Sequence, residues 1–241
     1  MNNKKAKITE IFKSVQGEGK YAGVPCVFVR FFGCTLSCRF NGKSCDTPYA
    51  VSGNTFVTLS IKEIVSEIKK CIGTENRINH IVFTGGEPML YQSQIKMIID
   101  EIDSEPFFMN DGLFYEVESN GTIPLIEEFE HYINYFNLSI KLKSSNQPKP
   151  FEKARINLDA IPTYPFKKTS FKFVVSSNDD VSEIISLHTT FPEYNVMLMP
   201  QGETRDQIIK NSQMVVDLCI MYGFRFSLRQ HIIIWDMKKG V

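Results

Sequence analysis

The sequence predicts an α/β domain built on a mostly parallel sheet. Two observations carry that reading: apolar runs of strand length recur along the chain, and segments with helical apolar spacing lie between them, an alternation that builds βα units. At 241 residues one domain can bury roughly three quarters of the surface its unfolded chain exposes, enough for a sizeable core. No linker-like stretch divides the chain, so residues 1–241 read as a single domain.

Taken in order, the first expected strand is Cys26 to Phe32. The helix after it opens at Ser60, with Glu63 in the capping-box relation, and Ile61, Ile64, Val65, Ile68 and Ile72 form one apolar stripe that suits packing on a sheet. Ile81 to Thr84 and Leu113 to Glu118 are the next strands, with helical spacing over Gln94 to Ile102 between them, and Phe136 to Ile140 follows. Lys143 to Thr169 carries Pro148, Pro150, Pro162 and Pro165 and reads as an irregular excursion, a lid or an insertion. Beyond it come strand Phe171 to Val175, helix Val181 to His188, strand Asn195 to Met199, helix Thr204 to Tyr222 stopped by Gly223, and strand Phe224 to Leu228.

Lysine plus arginine equals aspartate plus glutamate at 27 each, so the overall balance suggests no nucleic-acid partner. The lysine-containing N-terminus has no apolar stretch of secretory length behind it, and no window approaches the ~18 to 20 apolar residues of a membrane span. The expectation is a cytoplasmic protein without a membrane partner. In that reducing setting the six cysteines are expected as metal ligands, catalytic thiols or buried small side chains rather than disulfide halves. Cys26, Cys71 and Cys219 fall on strand or helix faces and read as buried apolar groups, while His80, His131 and His188 have no neighbouring constellation.

Ligands of parallel α/β sheets gather at the carboxyl ends of the strands. Here the first strand runs into Gly33 and the triplet Cys34, Cys38, Cys45; the second runs into Gly85-Gly86-Glu87-Pro88; the third runs into Ser119-Asn120-Gly121-Thr122. All three tips would share one rim. Three thiols at one loop suit an iron-sulfur cluster with one exchangeable iron position, or zinc completed by a distant histidine, and the spacing alone does not choose. The Gly-Gly-Glu-Pro turn favours the cluster. Its glycines let backbone approach a ligand closely, and Glu87 offers a carboxylate to an ammonium group.

The triplet followed by Gly-Gly-Glu-Pro resembles the radical S-adenosylmethionine superfamily. The set "QGEG" (Gln16–Gly19), "CDT" (Cys45–Thr47), "TGGEP" (Thr84–Pro88), "ESNGT" (Glu118–Thr122), "SIK" (Ser139–Lys141), "MPQG" (Met199–Gly202) and "RQHIIIW" (Arg229–Trp235) more specifically resembles the 7-carboxy-7-deazaguanine synthase family. The resemblance implies an incomplete (β/α) barrel and a radical ring contraction of 6-carboxy-5,6,7,8-tetrahydropterin with loss of ammonia, feeding 7-deazapurine (queuosine-type) biosynthesis. It implies a [4Fe-4S] cluster, S-adenosylmethionine and Mg2+ as cofactors, a flavodoxin-like or ferredoxin-like reductant, and a homodimer.

Carried over residue by residue, it implies that Cys34, Cys38 and Cys45 hold the cluster. S-adenosylmethionine would meet Ser44, Cys45, Asp46, Gly86, Glu87, Ser139, Ile140, Lys141, Met199, Pro200, Gln201 and Gly202. Thr47 would give an oxygen to Mg2+. Val15, Gln16 and Gly17 would line the pterin, Arg30 would pair with its carboxylate, and Thr84 would add a hydroxyl. Glu118 and His231 would contact substrate and carry proton transfers. The chain departs from the superfamily's usual triplet in having six residues, Arg39 to Ser44, between the second and third cysteines, and "SIK" stands where Ser-Pro-Lys is commoner. Two other readings share some of these features: a glycyl-radical enzyme activase, which would need a protein substrate, and a zinc-stabilised binding module without catalysis.

Overall fold

The structure, a computed structural model, describes residues 4–40, 42–74, 78–108, 112–238 and 240. Asn41, inside the lengthened cysteine spacing, and Lys239 and Val241, near the C-terminus, lie outside the described residues.

The chain opens with a long strand, β1 (Lys5–Val15), followed by β2 (Pro25–Phe31). A two-residue hairpin, β3 (Arg39–Phe40) and β4 (Lys43–Ser44), and a short helix α1 (Pro48–Val51) form the cysteine loop. Then come β5 (Val57–Ser60), α2 (Ile61–Ile72), β6 (His80–Gly85), α3 (Gln92–Ser104), β7 (Phe114–Ser119) and β8 (Tyr135–Leu138). The excursion contains α4 (Lys149–Glu152) among several 3-10 turns. The chain finishes with β9 (Thr169–Val175), α5 (Val181–Thr190), β10 (Asn195–Pro200), α6 (Arg205–Tyr222), β11 (Arg225–Phe226) and α7 (Gln230–Trp235).

Among the described residues nine strands form one sheet in the order β11-β10-β9-β8-β7-β6-β2-β1-β5. From β2 to β11 every neighbouring pair is parallel, whereas β1 pairs antiparallel with both β2 and β5. The order is linear, so this βα assembly is an incomplete barrel, open between its two edges.

The expected strands and helices all form, with ends shifted by a few residues. The capping box of α2 is present: the Glu63 N–H donates to Ser60 Oγ at 3.3 Å, and the Ser60 N–H donates to Glu63 Oε2 at 2.7 Å. Gly223 ends α6 with φ 72°. The last strand is only Arg225–Phe226; beyond it the Ser227 N–H still donates to the Leu198 carbonyl of β10 at 2.8 Å, and Ser227 Oγ accepts from the Gly19 N–H at 2.8 Å. β1 was not expected from its charged, mixed sequence KAKITEIFKSV. Its register with β2 slips between Ile8 and Glu10, which breaks the simple alternation by which a strand is read.

Strand alternation divides the residues between two faces. Val27, Val29 and Phe31 of β2, Ile81 and Phe83 of β6, Val117 of β7, Phe136 and Leu138 of β8, and Phe171 and Phe173 of β9 share one apolar core with the stripes of α2, α3, α5 and α6. The alternate positions form a second, smaller apolar cluster of Cys26, Phe28 and Val82, and above it the face turns polar with Arg30, Thr84, Glu118 and Lys172. One face of the sheet thus holds the fold and the other supplies the chemistry.

The excursion is packed down rather than loose. Tyr164 is fully buried and its hydroxyl donates to the Ile123 carbonyl at 2.7 Å. Asn157 Nδ2 donates to the Thr122 carbonyl at 2.9 Å. Arg155 donates from Nη1 to the Lys141 carbonyl at 2.9 Å and pairs with Glu183 at 2.6 Å.

Candidate active site

At the carboxyl ends of the parallel strands lies a cavity of about 620 Å³. Cys34, Cys38, Ser44, Cys45, Asp46, Thr47, Gly86, Ser139, Lys141, Met199, Gln201 and Gly202 line it together with Val15, Gln16, Gly17, Arg30, Thr84, Glu118 and His231. Ile140, Pro200 and Glu87 are not on its wall. Ile140 turns into the apolar core, and Glu87 is fully enclosed.

The glycine turn after β6 is built around the chain itself. A Cβ on Gly85 would stand 2.2 Å from the Phe31 carbonyl, and one on Gly86 would stand 2.2 Å from the Gly33 carbonyl. The close approach expected for a ligand is therefore made first by backbone at the tip of β2, where the Gly86 N–H donates to the Phe31 carbonyl at 3.2 Å and the Glu87 N–H to the Gly33 carbonyl at 2.8 Å. This ties the glycine turn to the start of the cysteine loop.

Glu87 differs from the ammonium-facing carboxylate expected of it. Its oxygens accept from the Met89 N–H at 3.0 Å, the Ser119 hydroxyl at 2.8 Å and the Asn120 N–H at 2.7 Å. Burial pushes its carboxyl above the usual range, and these donors offset part of that. The physical reason for the difference is that the tip of β7 needs an acceptor for its turn, and Glu87 is the group that reaches it.

Cys34 and Cys45 are partly exposed and Cys38 is buried. Burial pushes the Cys34 thiol up to about 11 and raises Cys45 as well. Donors point at all three sulfurs: Gln147 Nε2 lies 2.9 Å from Cys38 Sγ, the Leu36 N–H lies 3.4 Å from Cys34 Sγ, and the Thr47 N–H and hydroxyl bond to Cys45. Such donors stabilise a thiolate once a metal has displaced its proton. Among the described residues no three His, Cys, Asp or Glu side chains converge on one ion, whereas a four-iron cluster takes each thiolate on a separate iron. The three thiols on one cavity wall, with N–H donors behind them, fit such a cluster.

A charged network lines the same cavity and reaches the cysteine loop at Asp46. Glu118 Oε2 accepts from the Thr84 hydroxyl at 2.9 Å, and Glu118 Oε1 accepts from Gln16 Nε2 at 3.3 Å. Lys172, on β9, lies 3.9 Å from Glu118 and forms a tight ion pair with Glu18. Glu18 also takes Arg229 Nε at 2.9 Å, and Arg229 continues to the Gly202 carbonyl at 2.8 Å and to Asp46. Burial alone would raise the Glu18 carboxyl, but Lys172 and Arg229 overcome it and hold it well below the carboxylate range. Asp46 follows the same pattern under Arg229. Arg30 donates from Nε to Glu10 at 2.6 Å, which leaves its two terminal amino groups outside that pair.

Glu18, Lys172 and Arg229 were missed as individual site residues. Glu18 and Arg229 lie inside quoted motifs, and Lys172 had its own signal: a lysine inside the apolar run SFKFVV belongs on a buried polar face. His80, expected to stand alone, instead meets Glu116 at 2.9 Å with both side chains buried. Cys26 and Cys219 are buried as expected, and Cys71 is partly exposed.

An open parallel βα sheet with three thiols and a Gly-Gly-Glu-Pro turn on one cavity is the arrangement of a radical S-adenosylmethionine domain, and a model of the Radical SAM superfamily matches residues 28–169. The chain is 31% identical over 239 residues to the 7-carboxy-7-deazaguanine synthase of Pyrobaculum aerophilum, covering 98% of this chain and 97% of that one. It is 30% identical over 255 residues to the 7-carboxy-7-deazaguanine synthase of Leptospira interrogans, covering 100% of each. Among solved structures, QueE from Escherichia coli has the same fold, with a TM-score of 0.67 and 19% identity over 94% of this chain and 95% of that one. The chain belongs to the 7-carboxy-7-deazaguanine synthase family of the radical SAM superfamily. Membership of the superfamily implies a [4Fe-4S] cluster and S-adenosylmethionine.

Proposed function

We propose that this protein makes 7-carboxy-7-deazaguanine, the product its relatives are named for, from 6-carboxy-5,6,7,8-tetrahydropterin with loss of ammonia, as the motif resemblance implies. The observation that carries the reading is that Gln16, Arg30, Thr84, Glu118 and His231 line the same cavity as the three cysteines. The activase reading would need room for a peptide, and the zinc-module reading leaves this polar wall without a purpose.

When bound, S-adenosylmethionine and the cluster supply the radical chemistry at C6 of the pterin. The chain's own residues then bind, orient and move protons. Arg30 pairs with the substrate carboxylate through its terminal amino groups, and Gln16 matches the amide and amino edge of the ring. Glu118, held by Thr84, Gln16 and Lys172, exchanges a proton with the rearranging ring. Burial lowers the His231 imidazole below its usual range, with Glu18 pulling the other way, so it stands neutral and able to accept a proton. Thr47, on the cavity wall, would offer its hydroxyl to Mg2+, a hard cation that takes oxygen ligands. Cys34, Cys38 and Cys45 hold the cluster, and Asp46, Gly86, Ser139, Lys141, Met199, Gln201 and Gly202 form the S-adenosylmethionine wall. A flavodoxin-like or ferredoxin-like protein supplies the electron, and the working unit is a homodimer.

The test is an anaerobic assay of reconstituted protein with dithionite, S-adenosylmethionine, Mg2+ and the carboxytetrahydropterin. Formation of 7-carboxy-7-deazaguanine is expected. Release of 5′-deoxyadenosine without that product would reject the substrate while keeping the chemistry. A colourless, iron-free protein after reconstitution would reject both.

A further inference from the structure

The excursion from 143 to 169 has no part in the proposed reaction, yet one of its side chains reaches the cysteine loop. Gln147 is 7% exposed. Its Nε2 donates to Cys38 Sγ at 2.9 Å and to Ser145 Oγ at 3.1 Å, and its Oε1 accepts from the Ser37 N–H at 2.9 Å. The Ser37 N–H can only donate, so the amide oxygen must face it and the amide nitrogen must face the sulfur. Ser145 is itself held, its hydroxyl donating to the Leu142 carbonyl at 2.7 Å. Arg155, farther along the excursion, grips Lys141 and Glu183. Pro148 follows Gln147 and narrows the backbone choices of that residue. The result is a fixed, water-excluded N–H donor on one thiolate. The side-chain donor nearest Cys34, Asn120 Nδ2, is far longer at 3.7 Å.

We propose that Gln147 is a positioning residue that sets how readily the cluster takes up an electron, which makes the excursion part of the redox site rather than a lid. The inference rests on the reading that Cys34, Cys38 and Cys45 hold a [4Fe-4S] cluster. Reduction adds one electron, supplied by a low-potential one-electron donor, and the added negative charge is shared with the thiolate sulfurs. An N–H aimed at a sulfur is a stronger partner for the reduced cluster than for the oxidised one, so its loss makes reduction harder.

The experiment is a dithionite redox titration of reconstituted wild-type, Gln147→Leu and Gln147→Glu proteins, followed by electron paramagnetic resonance, with iron and sulfide content measured for each. In Gln147→Leu the ratio of reduced to oxidised cluster at a fixed applied potential should fall roughly three- to tenfold, the worth of one buried hydrogen bond. At 59 mV per tenfold for one electron this is a midpoint about 30–60 mV more negative. Gln147→Glu, which replaces the donor by a negative charge, should shift it further the same way. Full iron content with an unshifted midpoint in either variant would overturn the proposal. If both variants fold, as judged by circular dichroism, but neither holds iron, Gln147 secures the loop rather than tuning it, and the proposal also fails. Wild-type protein that holds no four-iron cluster would instead sink the ligand reading on which this rests, and the iron analysis distinguishes that case.

Discussion

Gly17 and His231 pack directly against one another on the cavity wall: a Cβ added to Gly17 would lie 2.1 Å from His231 Nδ1 and 2.9 Å from its Cγ. The two segments are also joined by backbone, since the Gln230 N–H donates to the Gly17 carbonyl at 2.9 Å. The absence of a side chain at 17 is therefore what allows the imidazole its place. Gly17→Ala should push the ring aside while keeping the fold. We expect kcat to fall on the order of a hundredfold, the usual effect of displacing a reacting group by an ångström. The thermal midpoint should move by only a few degrees. Steady-state kinetics beside a melting curve would check this, and unchanged kcat would remove His231 from the reaction.

The Glu18 carboxylate sits between two cations, Lys172 and Arg229. Glu18→Gln leaves both less well compensated in a buried place, which should cost roughly 3–5 kcal/mol. Denaturant unfolding would measure it. The pH dependence has a definite sign. The folded-state value of Glu18 is depressed below the ordinary carboxylate value of about 4.3. Its stabilising contribution is therefore complete above that ordinary value and is lost only as pH falls toward the lower folded value. Wild-type stability should decline more steeply below about pH 4 than that of Glu18→Gln.

His231 gives the opposite end of the pH scale something to report. Burial, with Arg229 acting the same way, lowers its imidazole, while Glu18, Asp46 and Glu118 act against the shift. If its neutral form accepts a proton from substrate, kcat/KM should hold steady through the ordinary histidine value near 6.5 and drop only at lower pH. His231→Asn should remove that acidic limb together with most of the rate. An acidic limb unchanged in His231→Asn would assign the titration to another group.

Glu87 satisfies three donors, the Met89 N–H in its own turn after β6 and the Ser119 hydroxyl and Asn120 N–H at the tip of β7. Glu87→Ala strands the Ser119 hydroxyl and the Asn120 N–H in a buried turn, at a cost of about 3 kcal/mol. For a chain of this length that is roughly a 6–12 °C fall in melting temperature. Differential scanning calorimetry on the apoprotein reads it. A midpoint within a degree of wild type would show that the carboxylate matters to ligands and not to the turn.

Thr47 caps α1 by position but makes no side-chain cap hydrogen bond there. Thr47→Val should leave stability within about 1 kcal/mol and raise the Mg2+ concentration needed for half-maximal rate. A Mg2+ titration of activity separates the variants, and superimposable curves would free Thr47 of the metal.

Much of this was legible in the sequence because it depends on short-range physics. Helical stripes such as Ile61, Ile64, Val65, Ile68 and Ile72 declare their buried face, and all five are buried. The strand ends named the rim, because residues after parallel strands point one way. β1 was not legible, since its register slip between Ile8 and Glu10 hides the alternation. Nor was the Glu116–His80 pair, whose members lie 36 residues apart and meet only when β6 and β7 align.

By itself the sequence determined the βα alternation, the three thiols at the tip of one strand and the motif set of the family, because these follow from local spacing and residue type. Only the tertiary structure decided what each polar group faces. It turned Glu87 from a candidate ligand into the acceptor that holds the β7 turn, joined Lys172, Glu18, Arg229 and Asp46 across four separate segments, and brought Gln147 onto Cys38 from 109 residues away. Such partners are set by strand order and register, and a buried charge or amide will take whichever partner the fold delivers.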